Sequence, residues 1–189
     1  MGETHTETRD APLDAERAAR RRVALAQIRQ YPDPVLRMRA QEVEEFDDDL
    51  RRLAGRMVVL MREASGVGLA GNQVGVLRRI VVMQAVEEDE AVPVVNPVIV
   101  SRGEGRELDD EGCLSLQGVL APVERATAVR VEGRGLGGDE LVLELEGIAA
   151  RVAQHELDHL DGILILDRTT KEARREALAV LRPKPLLDR

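Results

Sequence analysis

Apolar residues between positions 47 and 65 recur every three or four positions, which is the spacing of a helix buried on one face. An aspartate can cap the start of this helix, and Gly66 can end it. Helical spacing returns after Gly147, and Gly162 can end this second helix. A last helix is predicted over residues 169–181. The pattern therefore predicts helices in both halves of the chain.

Short runs rich in valine and isoleucine lie between these helices, separated by glycine-, proline- or acid-rich segments. Such runs are typical of β-strands. We predict strands over residues 79–86, 92–100, 119–131 and 140–146. A helix, then several antiparallel strands, then a helix is an α+β order and not a repeating βαβ order.

The N-terminal residues differ from the rest of the chain. Residues 1–22 are polar and charged, with too little apolar surface to offset the entropy of ordering them. The cluster Y-P-D-P at residues 31–34 predicts a rigid turn where the folded part begins, because each proline fixes its own φ. We predict an N-terminal extension over residues 1–24, flexible or part-helical after Asp14, and one folded domain over residues 25–189 that ends in a helix.

Composition narrows the class of protein. The only aromatic residues are Tyr31 and Phe46, so the core must be aliphatic. The net charge of −8, without a basic segment interleaved with aromatics, argues against nucleic acid as a direct ligand. No apolar run of about 18 residues and no signal-peptide core is present, which predicts a cytoplasmic protein without a membrane partner. The single cysteine, Cys113, fits a reducing compartment.

The segment H-E-L-D-H at residues 155–159 places two imidazoles four residues apart. On an α-helix this is about 40° around the axis and one turn along it, so both side chains can bind one ion. Glu156 can reach a water bound to that ion. The alternative is a charged surface helix that contains two histidines by chance, but the chain has just three histidines and this helix has an apolar flank.

A catalytic ion of this kind usually has three protein ligands and one open position. The metzincin pattern would place a third histidine at Ile165, so it does not apply. A thermolysin-like site would take a downstream carboxylate, Glu172 or Glu176. Cys113 is the other candidate, since a thiolate binds zinc or ferrous iron strongly. A lone cysteine is more often a small buried apolar residue, but beside a histidine pair that lacks a third ligand we favour it.

Three segments resemble the signature motifs of the peptide deformylase family, in the family's order and with similar spacing. They are G-V-G-L-A-G-N-Q at residues 66–73, E-G-C-L-S at 111–115 and Q-H-E-L-D-H-L-D-G at 154–162. The resemblance covers about residues 25–170. It implies antiparallel strands packed around a central helix that carries the H-E-x-x-H motif. It also implies an amide hydrolase that removes the N-formyl group from the N-terminal formyl-methionine of newly synthesised proteins and releases formate.

The resemblance also implies a role for individual residues. One divalent ion, ferrous iron in the cell and zinc, nickel or cobalt in some preparations, would be held by Cys113, His155 and His159. The general base would be Glu156, and the formyl oxygen would face the side-chain amide of Gln73 and the backbone N–H of Leu114. The path of the substrate would be lined by Val67, Gly68 and Gly112. The implied partners are N-formyl-methionyl nascent polypeptides, with association at the ribosome.

Three positions depart from the family pattern. The family usually has alanine where Gly71 stands, proline where Gln117 stands and often arginine where Leu120 stands. We expect Gly71 to loosen the backbone before Gln73 and the other two to alter the substrate groove. Two other functions remain open on the residues alone: a thermolysin-like endopeptidase, and a catalytically silent metal-binding homologue that binds peptides or partners.

Overall fold

The computed structural model describes residues 11–84 and 90–182. The helices are α1 (Ala11–Leu25), α2 (Asp48–Glu63), α3 (Gly147–Leu160), α4 (Ile165–Arg168) and α5 (Lys171–Leu181), with 3₁₀ helices at Pro34–Arg37 and Gly71–Val74. The strands are β1 (Gly68–Ala70), β2 (Ile80–Met83), β3 (Val92–Arg102), β4 (Arg106–Gly112), β5 (Leu120–Ala126), β6 (Ala128–Arg134) and β7 (Glu140–Glu146). The predicted α+β class and single domain are confirmed.

The strands form two antiparallel sheets. The larger sheet has the order β1-β2-β3-β6-β7, so β1 is an edge strand. The smaller sheet is the pair β4-β5, in register from Arg106 opposite Ala126 to Gly112 opposite Leu120. Strand β1 and the end of β4 both border the cavity described below. The site is therefore built between the edges of two sheets.

The strands β1 to β3 are covered on both faces, because successive side chains of a strand point to opposite sides. One face packs against α1 and α2 through Leu69, Ile80, Val82 and Val95. The other face packs against α3 through Ala70, Val81, Met83 and Val94. The helix that carries the H-E-x-x-H motif is thus central, as the resemblance implied.

Helix α2 matches the predicted helix at 47–65. The side chain of Asp47 caps it by accepting from the N–H of Leu50 at 2.9 Å. The predicted stop at Gly66 is wrong by one residue: Ser65 adopts the left-handed conformation with φ 59°. The N–H of Gly66 then bonds to Met61 O at 2.9 Å, closing the end of the helix.

The run 119–131, predicted as one strand, is two strands in different sheets. The break falls at Thr127, whose N–H donates to Gly105 O and whose carbonyl accepts from Gly147 N–H. These two long-range hydrogen bonds turn the chain from the small sheet into the large one. The run contains no Gly, Asn, Asp or Ser, so no local turn signal marks the break at Thr127.

Strands β1 and β4 and helix α4 were not predicted. Strand β4 reads R-E-L-D-D-E-G, and of its side chains only that of Glu111 is buried. A strand so exposed has no apolar alternation to detect. The described part of the predicted strand 79–86 is β2, and residues 85–89 lie outside the described residues. The last helix starts two residues later than predicted, capped by Thr170, which accepts from Ala173 N–H at 3.1 Å.

Helix α1 is longer than the part-helical segment predicted after Asp14. Its last two residues, Ala24 and Leu25, are buried in the core shared with α2. The Nε of Arg21 donates to Ala64 O at 3.2 Å. The domain boundary at residue 25 stays a prediction. Within the described ranges, no helix is both long and apolar enough to cross a membrane.

Candidate metal centre

Helix α3 brings two histidines of the motif together. Its apolar side chains are buried against the large sheet, which fixes the orientation of the opposite face. One turn apart on that face, the Nε2 atoms of His155 and His159 lie 3.2 Å from each other. Two imidazole nitrogens that face each other at this distance suit a shared cation.

Cys113 completes the cluster from the turn that follows β4. Its Sγ lies 3.2 Å from His159 Nε2, and the three candidate ligand atoms all lie within 4.8 Å of one another. Among residues 11–84 and 90–182, this is the one group of three or more such side chains close enough to share an ion. A thiolate and two imidazoles form a donor set that fits zinc or ferrous iron.

Glu111 orients the first histidine. Its Oε2 lies 3.0 Å from His155 Nδ1, and because an ionised carboxylate only accepts hydrogen bonds, Nδ1 carries the hydrogen. Burial would raise the pKa of Glu111, but hydrogen bonds with His155 and Arg125 lower it to about 2. Once Nε2 of His155 loses its proton, as binding an ion requires, its lone pair is thereby directed into the cluster. A carboxylate behind a ligating histidine commonly does this in metal sites.

The surroundings shift the pKa values of the two imidazoles in opposite directions. Burial opposes a charge on His155, but its hydrogen bonds with Cys113 and Glu111 outweigh burial and raise its pKa. Burial and the neighbouring His155 lower the pKa of His159, which keeps that ring neutral. The Nδ1 of His159 is buried without a hydrogen-bond partner among the described residues, so His159 lacks the outer partner that His155 has.

Glu156 lies buried next to the cluster, with 4% of its surface exposed. Its Oε2 has no hydrogen-bond partner in the described part of the chain. Burial raises the pKa of Glu156 to about 7, against the opposing effect of His155. A buried carboxyl with a free oxygen and a pKa near neutrality is suited to accept and return a proton at physiological pH.

Gly68 makes room for this carboxyl. A Cβ at position 68 would overlap Glu156 Oε1, and Gly68 has no positive φ that would otherwise demand glycine. We expect Gly68→Ala to displace the Glu156 side chain and to lower kcat by up to about 10²-fold, because small misplacements of a reacting group are costly. Steady-state kinetics on a formylated peptide would measure this loss.

Gly55 offers a matched control on α2. Among the described residues, no atom other than those of its chain neighbours and its own helix backbone lies within 4 Å of a Cβ built there. Gly55→Ala should leave kcat unchanged and stabilise the helix by about 0.5–1 kcal/mol, since glycine is unfavourable inside a helix. Equal activity in Gly68→Ala and Gly55→Ala would contradict the role given to the Gly68 clearance.

Gln73 is fixed inside the 3₁₀ helix Gly71–Val74 and is 1% exposed. Its Oε1 accepts from Ala70 N–H at 2.8 Å, which fixes the direction of the amide. Its Nε2 donates to Ser115 Oγ at 3.1 Å and lies 3.8 Å from Cys113 Sγ. The Gln73 amide is therefore held beside the candidate ligand.

A cavity of about 630 Å³ opens onto the cluster. Eight of the nine residues predicted for the site line it, namely Val67, Gly68, Gln73, Gly112, Cys113, Leu114, His155 and Glu156. The ninth, His159, is fully buried behind them. Val67 and the rim residues Leu120 and Ile148 are exposed. The exposed lining of the groove thus mixes these apolar side chains with charged ones, Arg21 and Asp110, and its inner end is polar.

The departures from the family pattern have physical consequences in the structure. A Cβ on Gly71 would lie 2.6 Å from Arg78 O and 2.9 Å from Val76 O. The expectation that Gly71 loosens the backbone is therefore wrong: the segment is packed so closely that glycine is required. Gln117 donates from Nε2 to Gln30 Oε1 at 3.0 Å, and Leu120 projects 72% exposed at the rim.

Sequence reasoning missed the ion pairs behind the cluster. Arg125 makes two hydrogen bonds to Glu111, at 2.9 and 3.0 Å, and a third to Asp158 at 2.6 Å. Arg151 and Arg168 add further bonds to Glu111 and Asp158. The two carboxylates lie within the recognised motifs: Glu111 is the first residue of E-G-C-L-S, and Asp158 is the fourth of H-E-L-D-H. Their partners come from other strands and helices, so no sequence spacing indicates the pairing.

The other carboxylates considered as third ligand lie elsewhere. Glu172 and Glu176 are exposed on α5 and are not in the cluster. Helix α5 packs against β5 and α4. The thermolysin-like arrangement is therefore not the one the fold assembles.

The site combines a buried glutamate with a thiol and two histidines at the inner end of a groove. This combination is typical of metal-dependent hydrolases. The family model described as polypeptide deformylase matches residues 25–175. The chain belongs to the polypeptide deformylase family.

Known proteins similar to the chain agree with this assignment. It is 44% identical over 154 residues to a peptide deformylase of Desulforudis audaxviator, covering 82% of this chain and 99% of that protein. It is similar to the crystal structure of peptide deformylase from Thermotoga maritima, with 43% identity, a TM-score of 0.73, and 76% and 96% of the two chains covered. It is also similar to the crystal structure of a peptide deformylase from Legionella pneumophila, with 39% identity and a TM-score of 0.78. That match covers 82% of this chain and 91% of the other.

Proposed function

We propose that this chain removes the formyl group from the N-terminal formyl-methionine of newly made polypeptides, releasing formate. The observation that carries the proposal is the buried carboxyl of Glu156, whose Oε2 has no hydrogen-bond partner among the described residues, beside the cluster of Cys113, His155 and His159. One divalent ion held by those three residues would acidify water and polarise the formyl oxygen. The thiolate and imidazole donors suit ferrous iron in the cell, with zinc, nickel or cobalt as substitutes.

Glu156 would act as the proton carrier. It accepts a proton as water attacks the formyl carbon, and it then returns that proton to the leaving amine of methionine. The pKa of about 7 lets the carboxyl do both near neutral pH. The clearance at Gly68 lets its carboxylate reach the reacting atoms.

Two donors would meet the negative charge that develops on the formyl oxygen. They are the backbone N–H of Leu114 and the side-chain amide of Gln73, which is already held in place by Ala70 and Ser115. Donors fixed before the reaction stabilise such charge without the cost of reorganising. Both sit beside Cys113, so the oxygen would be held where the ion acts.

The groove would select the substrate by size and polarity. A formyl carbon carries a hydrogen where an internal peptide carbonyl carries a chain, so a closely packed inner end admits the formyl group and excludes internal bonds. Val67, Gly68 and Gly112 line the groove and would border the path of an extended substrate. Since such substrates emerge from ribosomes, we place the enzyme in the cytoplasm, in association with the ribosome.

The test is formate release from the peptide formyl-Met-Ala-Ser by protein loaded with ferrous iron without oxygen. We expect one formate per peptide, and no cleavage of the same peptide with an acetyl group in place of formyl. Cleavage of internal bonds would instead indicate an endopeptidase. Peptide binding without any product, in protein with full metal content, would indicate a silent homologue.

A further inference from the structure

The turn that follows β4 carries both Cys113 and Leu114, and it is held from outside by two consecutive residues. The turn itself is closed by the N–H of Leu116, which bonds to Cys113 O at 3.0 Å. Gln30 Nε2 donates to Leu114 O at 3.0 Å. The N–H of the next residue, Tyr31, donates to Ser115 O at 2.9 Å. Both carbonyls at the apex of the turn are therefore fixed.

The amide of Gln30 is fully used. Its two Nε2 hydrogens go to Leu114 O and, at 3.1 Å, to Ile28 O, and its Oε1 accepts from Gln117 Nε2 at 3.0 Å. A flipped amide would place an oxygen against two carbonyl oxygens, so this network permits one orientation only. Gln117 thus fixes Gln30, and Gln30 fixes the peptide that follows Leu114.

We propose that Gln30 is a positioning residue for the formyl oxygen site, and that Gln117 acts on that site through Gln30. The Leu114 N–H lies in the peptide before Leu114, whose carbonyl, Cys113 O, accepts from Leu116 N–H, while Gln30 holds the peptide after Leu114. With both peptides held, the backbone cannot rotate at Leu114, and the direction of its N–H is set. The inference rests on the proposed function, because it takes that N–H as a donor to the formyl oxygen. Gln117 stands where the family usually has proline, and here a hydrogen bond supplies the restraint.

The kinetic test compares four variants on formyl-Met-Ala-Ser: Gln30→Ala, Gln30→Glu, Gln117→Ala and the double Gln30→Ala/Gln117→Ala. Gln30→Ala should lower kcat about 2- to 10-fold, the effect of one hydrogen bond, with KM within twofold. Gln30→Glu should lose as much, because it keeps the size but cannot donate. Gln117→Ala alone should lower kcat about twofold, and adding it to Gln30→Ala should lower kcat no further.

Gln27 provides the control, since it is exposed and its amide oxygen accepts from Arg56, at 3.5 Å, and from no other side chain in the described part of the chain. Gln27→Ala should match wild type. The proposal is overturned if Gln30→Ala changes the melting temperature but not kcat, or if its loss of kcat follows a loss of bound metal. An effect of Gln117→Ala on KM that persists in the double variant also overturns it, since Gln117 would then touch the substrate directly.

Hydrogen–deuterium exchange gives a readout that does not need activity. Residues 112–117 should exchange faster in Gln30→Ala than in wild type or Gln27→Ala, and unchanged exchange would overturn the proposal. If wild-type protein releases no formate, the proposed function fails, while the exchange measurement still decides whether Gln30 holds the turn.

Discussion

Glu156→Ala is expected to keep its metal and to lose about 10²- to 10⁴-fold in kcat on a formylated peptide, the usual contribution of a positioned base. The carboxyl is buried, lies beside the cluster, and its Oε2 has no hydrogen-bond partner within residues 11–84 and 90–182. Removing it takes away the proton carrier but none of the three candidate ligands. Metal content by mass spectrometry and formate release by a coupled assay would measure the two effects separately.

Glu156→Gln is the sharper companion variant, because it keeps the shape of the side chain and removes only its basicity. It should lose kcat to a similar extent. Near wild-type turnover in either variant, with metal bound, would exclude Glu156 as the base. Loss of metal in both would instead mean that the carboxyl belongs to the binding site.

Cys113→Ala should lose metal and activity together. Its Sγ is one of three candidate ligand atoms, and two imidazoles alone leave the ion with too few protein donors. Outer residues that only orient a ligand already contribute about 10- to 100-fold to metal affinity. We therefore expect removal of a ligand to weaken binding by at least about 100-fold. Titration with zinc against a competing chelator would measure it.

Two variants separate ligation from other roles of the thiol. Cys113→Ser keeps the size but presents a hydroxyl that stays protonated at neutral pH, so it should lose metal as Cys113→Ala does. Glu176→Ala, which alters the exposed carboxylate of the thermolysin-like alternative, should change neither metal content nor activity. Full occupancy in Cys113→Ala would remove this residue from the site.

The helices could be predicted from the sequence because their signals are local. The spacing of apolar residues in α2 and α3 predicts which face of each helix is buried. The interval of four residues from His155 to His159 predicts that both rings lie on one face of α3. The strands were predicted less well. Whether 119–131 is one strand or two is decided at Thr127, by hydrogen bonds to residues distant in sequence. The pairing of the acidic β4 is likewise a property of the assembled sheet.

In the site as well, some features follow from the sequence and others only from the folded structure. The residues alone favoured Cys113 as third ligand but left Glu172 and Glu176 open, and the resemblance to a known family also pointed to Cys113. The folded chain brings its sulfur to the histidines. The supporting contacts, such as Glu111 behind His155, join side chains from different elements and have no sequence spacing to reveal them. The need for glycine at position 71 arises from carbonyls of the following loop.

The near absence of aromatic residues makes Tyr31 a built-in optical probe of the turn at Cys113. With no tryptophan and one tyrosine in the chain, all of its tyrosine emission comes from this ring, and Phe46 emits only weakly at shorter wavelength. The ring packs partly buried against the same apolar cluster that Cys113 borders, and its backbone N–H holds Ser115 O. Tyrosine emission during metal titration would therefore report ordering of this turn without any introduced label.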